Sequence, residues 1–194
     1  MPRIFFAIPM SVAIRRTFIS CRKSLVSEDP SWAGEKWVAA ENLHITLRFL
    51  GTVAPPDVDR CIENVSRLSS TIEPYRLCLN QVRAIPQRRS ASLVWVAPSV
   101  GAEETASVAD VIAQATSLLA FRPEGKRFRP HVTLCRARSP RRLAASAVDE
   151  IDRVLHMSDE RAISMSVPGV TLIASTLTPR GPIYEEIAMI PFRG

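Results

Sequence analysis

A short segment of this sequence occurs twice, and the repetition restricts the fold more than any other feature. Residues 43–47 read LHITL and residues 130–134 read PHVTL, so that each copy carries a His-x-Thr motif. The two histidines, His44 and His131, lie 87 residues apart in a chain of 194. A motif that returns at nearly half the chain length predicts two similar lobes, each presenting one strand to a shared cleft.

Both copies have the period of two that is typical of a strand. In residues 43–50 the predicted core face carries Ile45, Leu47 and Phe49, and the opposite face carries His44, Thr46 and Arg48. The His and Thr of each motif therefore share one face of a strand, roughly 7 Å apart along the chain. The sheet is expected to bury one face and to expose reactive groups on the other.

Paired histidines in this setting suit acid-base chemistry. A single histidine on a strand is more often structural than catalytic, but here two of the three histidines occupy matching contexts, and only His156 is interpreted as structural or surface-exposed. Because the ordinary imidazole pKa is about 6.5, one ring can take a proton from water while another gives one to a leaving oxygen. Each transfer is typically worth roughly a hundred- to ten-thousand-fold in rate. The threonine hydroxyls would donate to phosphoryl oxygens.

The positive charge of the chain is concentrated around the second motif. The formal net charge is +6 and the pI is about 9.7, which by itself is only weak support for an anionic partner. Between residues 122 and 142, Glu124 alone opposes the basic residues Arg122, Lys126, Arg127, Arg129, Arg136, Arg138, Arg141 and Arg142. This window fits a solvated basic loop, but the presence of His131 within it favours a basic cleft.

The remaining pattern mixes strands and helices. Helical spacing predicts helices from Ser11 to about Val26, from Pro55 to about Leu68 and over residues 103–120. Strands are predicted at residues 3–9, 75–85 and 93–97, and as two strands of residues 167–192 joined around 178–182. Residues 140–155 fit either a helix or a mobile loop. These hairpins favour an α+β fold, in a single domain over residues 1–194, rather than a parallel sheet.

Several classes of protein are not supported. The apolar N-terminal run of about seven residues is too short for a signal peptide or a membrane span. The four cysteines lack C-x-x-C spacing, so a reducing cytoplasm is expected. No metal is expected, because the histidines lack H-x-x-x-H spacing and the pair Asp57 and Asp59 suits the first turn of a helix. No G-x-S-x-G segment indicates a serine hydrolase.

Four segments together resemble the 2H phosphoesterase superfamily, and most closely its bacterial and archaeal RNA 2′,3′-cyclic phosphodiesterases, formerly described as RNA 2′-5′ ligases. They are RIFFAI at residues 3–8, ENLHITLRFLG at 41–51, FRPHVTL at 128–134 and STLTPRGPIY at 175–184. This ordered set runs from end to end of the chain and is far more specific than one His-x-Thr. The resemblance implies a bilobal α+β fold of two pseudo-symmetric lobes, each with an antiparallel sheet and flanking helices, around a central basic cleft.

The resemblance also implies a reaction and roles for particular residues. A 2′,3′-cyclic phosphate on RNA would be hydrolysed to a 2′-phosphomonoester without a metal or other cofactor. His44 would be the proton donor to the 3′ oxygen and His131 the proton acceptor from water, while Thr46 and Thr133 would hold the phosphate. Arg136 would contact the phosphate too, yet strict alternation from His131 places it on the opposite face. Either the strand bends or ends before Arg136, or this assignment is wrong.

The implied partner is an RNA with a 2′,3′-cyclic phosphate end or a related nucleotide, bound by a monomer away from membranes. Ser92 stands where relatives often carry an arginine, which leaves the substrate contacts there undefined. The sequence does not separate RNA ends from small nucleotide cyclic phosphates, or hydrolysis from ligation of 2′-5′ linked RNA. A non-catalytic nucleotide- or RNA-binding module is a further alternative, which the intact motifs disfavour.

Overall fold

Nine strands pair into one antiparallel sheet across the residues that the structure describes. The computed structural model describes residues 3–119, 127–179 and 181–193. The strands are β1 (Arg3–Pro9), β2 (Lys36–Trp37), β3 (His44–Thr52), β4 (Tyr75–Ile85), β5 (Ala91–Val100), β6 (Val132–Arg141), β7 (Ser164–Val167), β8 (Gly169–Thr178) and β9 (Gly181–Pro191). Their order is β7-β4-β5-β6-β3-β1-β8-β9, and β2 pairs with β6 beside this path.

This order divides the sheet into two lobes. The first lobe contains β3, β1, β8 and β9, and the second contains β6, β5, β4 and β7. The lobes meet where β3 and β6 pair antiparallel through Ile45 and Val132. The strands of the two motifs are therefore the innermost strand of each lobe. The bilobal α+β fold implied by the sequence is confirmed.

The lobes are interleaved along the chain. β8 and β9 come from its C-terminal part, yet β8 pairs with β1 and completes the first lobe. β2 precedes the first motif, yet it pairs with the motif strand of the second lobe, with Lys36 opposite Arg136. Neither half of the sequence can form its lobe alone.

The helices cover the sheet face that carries Ile45 and Val132. They are α1 (Val12–Glu28), α2 (Pro55–Ser69), α3 (Ala102–Ala115), α4 (Ala145–Met157) and the single turn α5 (Glu160–Ile163). α1 packs on α4, and α2 packs on α3. The main core joins Ile45 and Val132 to helix residues such as Ile14, Val65 and Ile151, all fully buried. Burial of this face leaves the opposite face for the histidines.

Most predicted elements are confirmed, some with shifted ends. Ser11 caps α1, with its side-chain oxygen accepting from the backbone N–H of Ile14 at 3.3 Å. The helix predicted for residues 103–120 ends at Ala115 and is followed by a 3-10 turn at Ser117–Leu119, while residue 120 lies outside the described residues. The alternative for residues 140–155 is resolved as α4.

The setting of the cysteines also agrees with their spacing. Cys21, Cys61, Cys78 and Cys135 are all buried and unpaired. Across the described ranges, no helix has the length and apolar character needed to cross a membrane.

Candidate active site

The two motifs meet at the junction of the lobes. Ile45 is the partner of Val132 in the antiparallel pair, and continuing this register by one residue places His44 opposite Thr133 and Thr46 opposite His131. Ile45 and Val132 are both fully buried, so the flanking His and Thr side chains share the other face of the sheet. Facing residues in such a pair have Cα atoms about 4.5–5.5 Å apart. The two motifs therefore form one compact group.

The backbone orients both imidazoles in the same way. Nδ1 of His44 lies 2.7 Å from the carbonyl oxygen of Asn42, and Nδ1 of His131 lies 2.7 Å from that of Arg129. A carbonyl oxygen only accepts, so each Nδ1 carries a hydrogen and donates it. In each neutral ring Nε2 is then the unprotonated atom that is left for chemistry. Nε2 of His44 lies 2.9 Å from the hydroxyl oxygen of Thr46, which donates to it when the ring is neutral.

Both motif strands bulge directly after the threonine. Between β1 and β3 the register passes from Ala7 opposite Thr46 to Phe6 opposite Arg48, which leaves Leu47 as the extra residue. Between β5 and β6 it passes from Trp95 opposite Thr133 to Val94 opposite Cys135, and Leu134 is the extra residue. Leu47 and Arg48 are consequently both buried, as are Leu134 and Cys135. Beyond each bulge the alternation of faces is reversed.

The reversal corrects two predictions and resolves a third. Arg48 was predicted on the cleft face and Phe49 in the core, and both predictions are wrong: Arg48 is 8% exposed, whereas Phe49 is 59% exposed and lines the cleft. In the second strand the bulge turns Arg136 towards the cleft that His131 and Thr133 line. Of the alternatives for Arg136, the irregular strand is therefore the one found. Ser92, in β5, is not among the described residues that line the cleft.

The cleft has a volume of about 1510 Å³ and is mainly basic. His44, Thr46, His131, Thr133 and Arg136 all line it, together with the basic residues Arg22, Lys36, Arg127, Arg129 and Arg138 and the acidic residues Glu35 and Glu41. Arg141, from the predicted basic window, instead pairs with Glu35. Arg122, Glu124 and Lys126 of that window lie outside the described residues. The described part of the window supports a basic cleft rather than a solvated loop.

Aromatic rings that the sequence did not single out surround the histidines. Trp95 stacks on His131, with ring centroids 3.7 Å apart and planes at 18°. Phe5 and Tyr184 lie beside His44, with centroids at 5.0 and 5.5 Å. No motif marks these residues as a group, because they lie on β5, β1 and β9 and meet only through the strand order.

Both histidines have a lowered pKa. For His44, burial is the largest cause; the hydrogen bond to Asn42 opposes it, and the charges of Arg136 and His131 lower the pKa further. For His131, burial is again the largest cause, the hydrogen bond to Arg129 opposes it, and Arg136 lowers the pKa. Both rings are therefore neutral near pH 7 in the free protein. An anion bound between them would favour the protonated form.

The donor set of the site is poor for a metal ion. The described residues contain no group of three or more His, Cys, Asp or Glu side chains that could hold one. The threonine hydroxyls and arginine next to the histidines are not ligands that zinc prefers. The arrangement instead provides two proton-transfer groups and several donors to an anion.

Comparisons with known proteins agree with this geometry. The family model for LigT like phosphoesterases matches the chain twice, over residues 9–95 and 96–184, with one motif in each match. An RNA 2′,3′-cyclic phosphodiesterase of Archaeoglobus fulgidus is 32% identical over 185 residues, which cover 95% of this chain and 97% of that protein. One of Aeropyrum pernix is 34% identical over 152 residues, covering 78% and 83% of the two chains.

Solved structures share the fold at lower identity. A protein of Thermus thermophilus superposes with a TM-score of 0.78 at 23% identity, covering 99% of this chain and 98% of its own. Escherichia coli LigT in its apo form superposes with a TM-score of 0.70 at 22% identity, covering 100% and 98%. Because the family model covers both halves and the curated relatives match over most of their length, this chain belongs to the LigT-like phosphoesterase family, within the 2H phosphoesterases.

Proposed function

We propose that this protein hydrolyses 2′,3′-cyclic phosphate ends of RNA to 2′-phosphomonoesters by metal-independent acid-base catalysis. The observation that carries the proposal is the pairing of the two His-x-Thr motifs across Ile45 and Val132, with both Nδ1 atoms tied to backbone carbonyls. This arrangement provides two Nε2 atoms beside one cleft. One can accept a proton while the other donates one.

His131 is the proposed general base. Its neutral form carries the lone pair on Nε2, because Nδ1–H is donated to Arg129. Burial and Arg136 lower its pKa, which keeps the ring neutral at physiological pH. Nε2 takes a proton from water, and the oxygen of that water attacks the phosphorus.

His44 is the proposed general acid. The bond between phosphorus and the 3′ oxygen breaks as the new bond forms, and the proton on Nε2 of His44 goes to the departing oxygen. Its lowered pKa disfavours this proton in the free protein. A bound phosphodiester anion offsets the repulsion from Arg136 and His131, so substrate binding and protonation of His44 support each other.

Thr46, Thr133 and Arg136 are proposed to hold the phosphate. All three line the cleft beside the histidines. Their hydroxyl and guanidinium hydrogens can donate to the non-bridging oxygens, where negative charge grows in the transition state. All five groups come from one chain, so a single copy folded as one bilobal domain suffices.

The relatives support the substrate class. The Archaeoglobus fulgidus and Aeropyrum pernix proteins are both named RNA 2′,3′-cyclic phosphodiesterase. Escherichia coli LigT has been solved in complex with 3′-AMP and with phosphate, at TM-scores of 0.69 and 0.66 to this chain. A cleft that takes a nucleotide and a phosphate in a protein of this fold is in keeping with a cyclic phosphate here.

The test is a product assay. The protein is incubated in EDTA with an RNA oligonucleotide that ends in a 2′,3′-cyclic phosphate, and the product is identified by phosphorus NMR. We expect full activity in EDTA and a 2′-phosphate product. Loss of turnover in EDTA would sink the metal-free mechanism, and a 3′-phosphate product would reverse the assignment of the leaving oxygen. Nucleotide binding without turnover would favour a non-catalytic binding module, and joining to an added 5′-hydroxyl RNA would favour ligation.

A further inference from the structure

The two sides of the cleft differ at structurally equivalent positions. The bulges after the two motifs turn Phe49 into the cleft in β3 and Arg136 into the cleft in β6, and these residues are 87 positions apart like the histidines. The anion donor of one lobe is thus replaced by an aromatic ring in the other. Ile183 and Tyr184 of β9 also line the cleft, and we call these three residues the aromatic wall: Phe49, Ile183 and Tyr184.

The aromatic wall is a packed surface rather than a set of loose side chains. The buried ring of Phe5 lies behind it, with centroids 5.3 Å from Phe49 and 5.3 Å from Tyr184. Phe5, Ala7 and Ile173 form a small apolar cluster, separate from the main core, on which Tyr184 packs. Phe49 and Ile183 are nevertheless 59% and 54% exposed. A rigid apolar surface that is left accessible inside a basic cleft suits a flat apolar ligand group.

The direction of the reaction points to that ligand group. This step rests on the proposed function: if His44 protonates the 3′ oxygen and water approaches from His131, the ribose must lie on the His44 side of the phosphorus. His44 belongs to the same aromatic cluster, with its ring 5.0 Å from Phe5 and 5.5 Å from Tyr184. The base attached to the ribose is therefore carried towards the aromatic wall.

We propose that the aromatic wall binds the base of the cyclic-phosphate nucleotide by stacking, with little discrimination between bases. Hydrogen-bonding groups near the wall are already engaged: the Asn42 amide donates to the carbonyl oxygen of Pro182 at 3.1 Å, and the Thr178 hydroxyl donates to that of Gly181 at 2.7 Å. Stacking depends on the area of the base rather than on its edge. Purines should bind better than pyrimidines, and both better than a sugar without a base.

The test compares three small substrates in the wild type and in Phe49→Leu, which keeps apolar volume but removes the ring. The substrates are adenosine 2′,3′-cyclic phosphate, uridine 2′,3′-cyclic phosphate and 1-O-methylribose 2′,3′-cyclic phosphate, which has no base. We expect Phe49→Leu to raise KM roughly tenfold for the adenosine substrate, less for uridine, and not for the methylriboside, with kcat changed less than about twofold. Ile187→Ala, an exposed apolar residue of β9 that does not line the cleft, is the control and should change none of these values.

Equal KM changes with and without a base would overturn the proposal, because Phe49 would then act only on the shape of the site. A second measurement separates it from the proposed function: dissociation constants of adenosine 2′-phosphate and methylriboside 2′-phosphate by calorimetry. If the wild type turns over none of the substrates but binds the adenosine compound more tightly, and Phe49→Leu loses that preference, the wall stands and the proposed function falls. Equal affinity of the wild type for both compounds would remove the wall.

Discussion

The sites of His44 and His131 have the same backbone and different surroundings. Each ring donates Nδ1–H to a carbonyl two residues earlier, and each strand bulges after its threonine. Around this shared frame, however, His44 has Phe5, Phe49 and Tyr184 near it, whereas the His131 side has Trp95 stacked on the ring and Arg136 beyond the bulge. The duplicated backbone thus sets how the histidines are held, and the unmatched side chains set which side suits an anion and which an apolar group.

Removing either histidine tests whether the two sites act as a pair. Replacing His44 or His131 with Ala should reduce kcat on a cyclic-phosphate RNA by roughly a hundred- to ten-thousand-fold, because each removes one proton transfer. The double variant should be little worse than either single one, since the two transfers belong to one step. Single-turnover kinetics with folded protein, verified by circular dichroism, measures this.

His156→Ala is the matched control. His156 lies on α4, donates Nδ1–H to the carbonyl of Asp152 at 2.7 Å and is exposed, so that its loss should leave the rate unchanged. An active His131→Ala protein would contradict the assignment of the base. If only one of the two histidines mattered, the matching backbones would not reflect matching use.

Replacing Arg136 tests the electrostatic difference between the lobes. Arg136→Met should lower kcat/KM by roughly a hundredfold through lost charge-assisted hydrogen bonds to the phosphate. It should also raise the pKa of both histidines, since the Arg136 charge lowers both. The wild-type optimum of kcat/KM is expected below about pH 6.5 because both histidine pKa values are lowered, and it should move upwards in Arg136→Met.

Arg136→Lys separates these two effects. Lysine keeps the positive charge but not the planar pair of donors, so the pH optimum should stay in place while kcat/KM still falls. The pKa values can be followed independently by NMR titration of the histidine rings. Unchanged histidine pKa values in Arg136→Met would mean that its charge does not reach the rings.

The two threonines test how far the symmetry extends. Thr46→Val and Thr133→Val keep β-branched volume on the strand and should each lower kcat roughly tenfold, by removing one donor to the phosphate. Thr46 also donates to Nε2 of neutral His44, a bond that stabilises the unprotonated ring. Thr46→Val should therefore raise the pKa of His44, whereas Thr133→Val should not. Equal shifts in both variants, measured by NMR titration, would contradict this difference.

The sequence predicted the parts of this site that depend on local pattern. The motif strands, the buried Ile45 and the grouping of the two histidines follow from period and repetition. The faces of Arg48, Phe49 and Arg136 do not, because an extra residue in a strand is defined only by the partner strand, here β1 or β5. The aromatic neighbours of His44 were out of reach for a related reason: β9 comes from the far end of the chain and reaches the first lobe only through β8 and β1.

Glu35 provides the smallest and most local test, since it holds the motif strand of the second lobe alone. Its carboxylate accepts from the backbone N–H of Arg138 at 2.7 Å and pairs with the Arg141 guanidinium, and its side chain is 6% exposed. The bond from Arg138, and then Arg141, lowers the pKa of Glu35 below its ordinary value. A folded pKa below the unfolded one adds stability above the unfolded pKa, and that stability is lost as pH falls through the folded pKa. Glu35→Gln should therefore destabilise the protein by about 1 kcal/mol near pH 7 in urea unfolding, and the two proteins should converge in acid. Hydrogen exchange should increase in β6 and not in β3; equal increases in both strands would show that the lobes are not held independently.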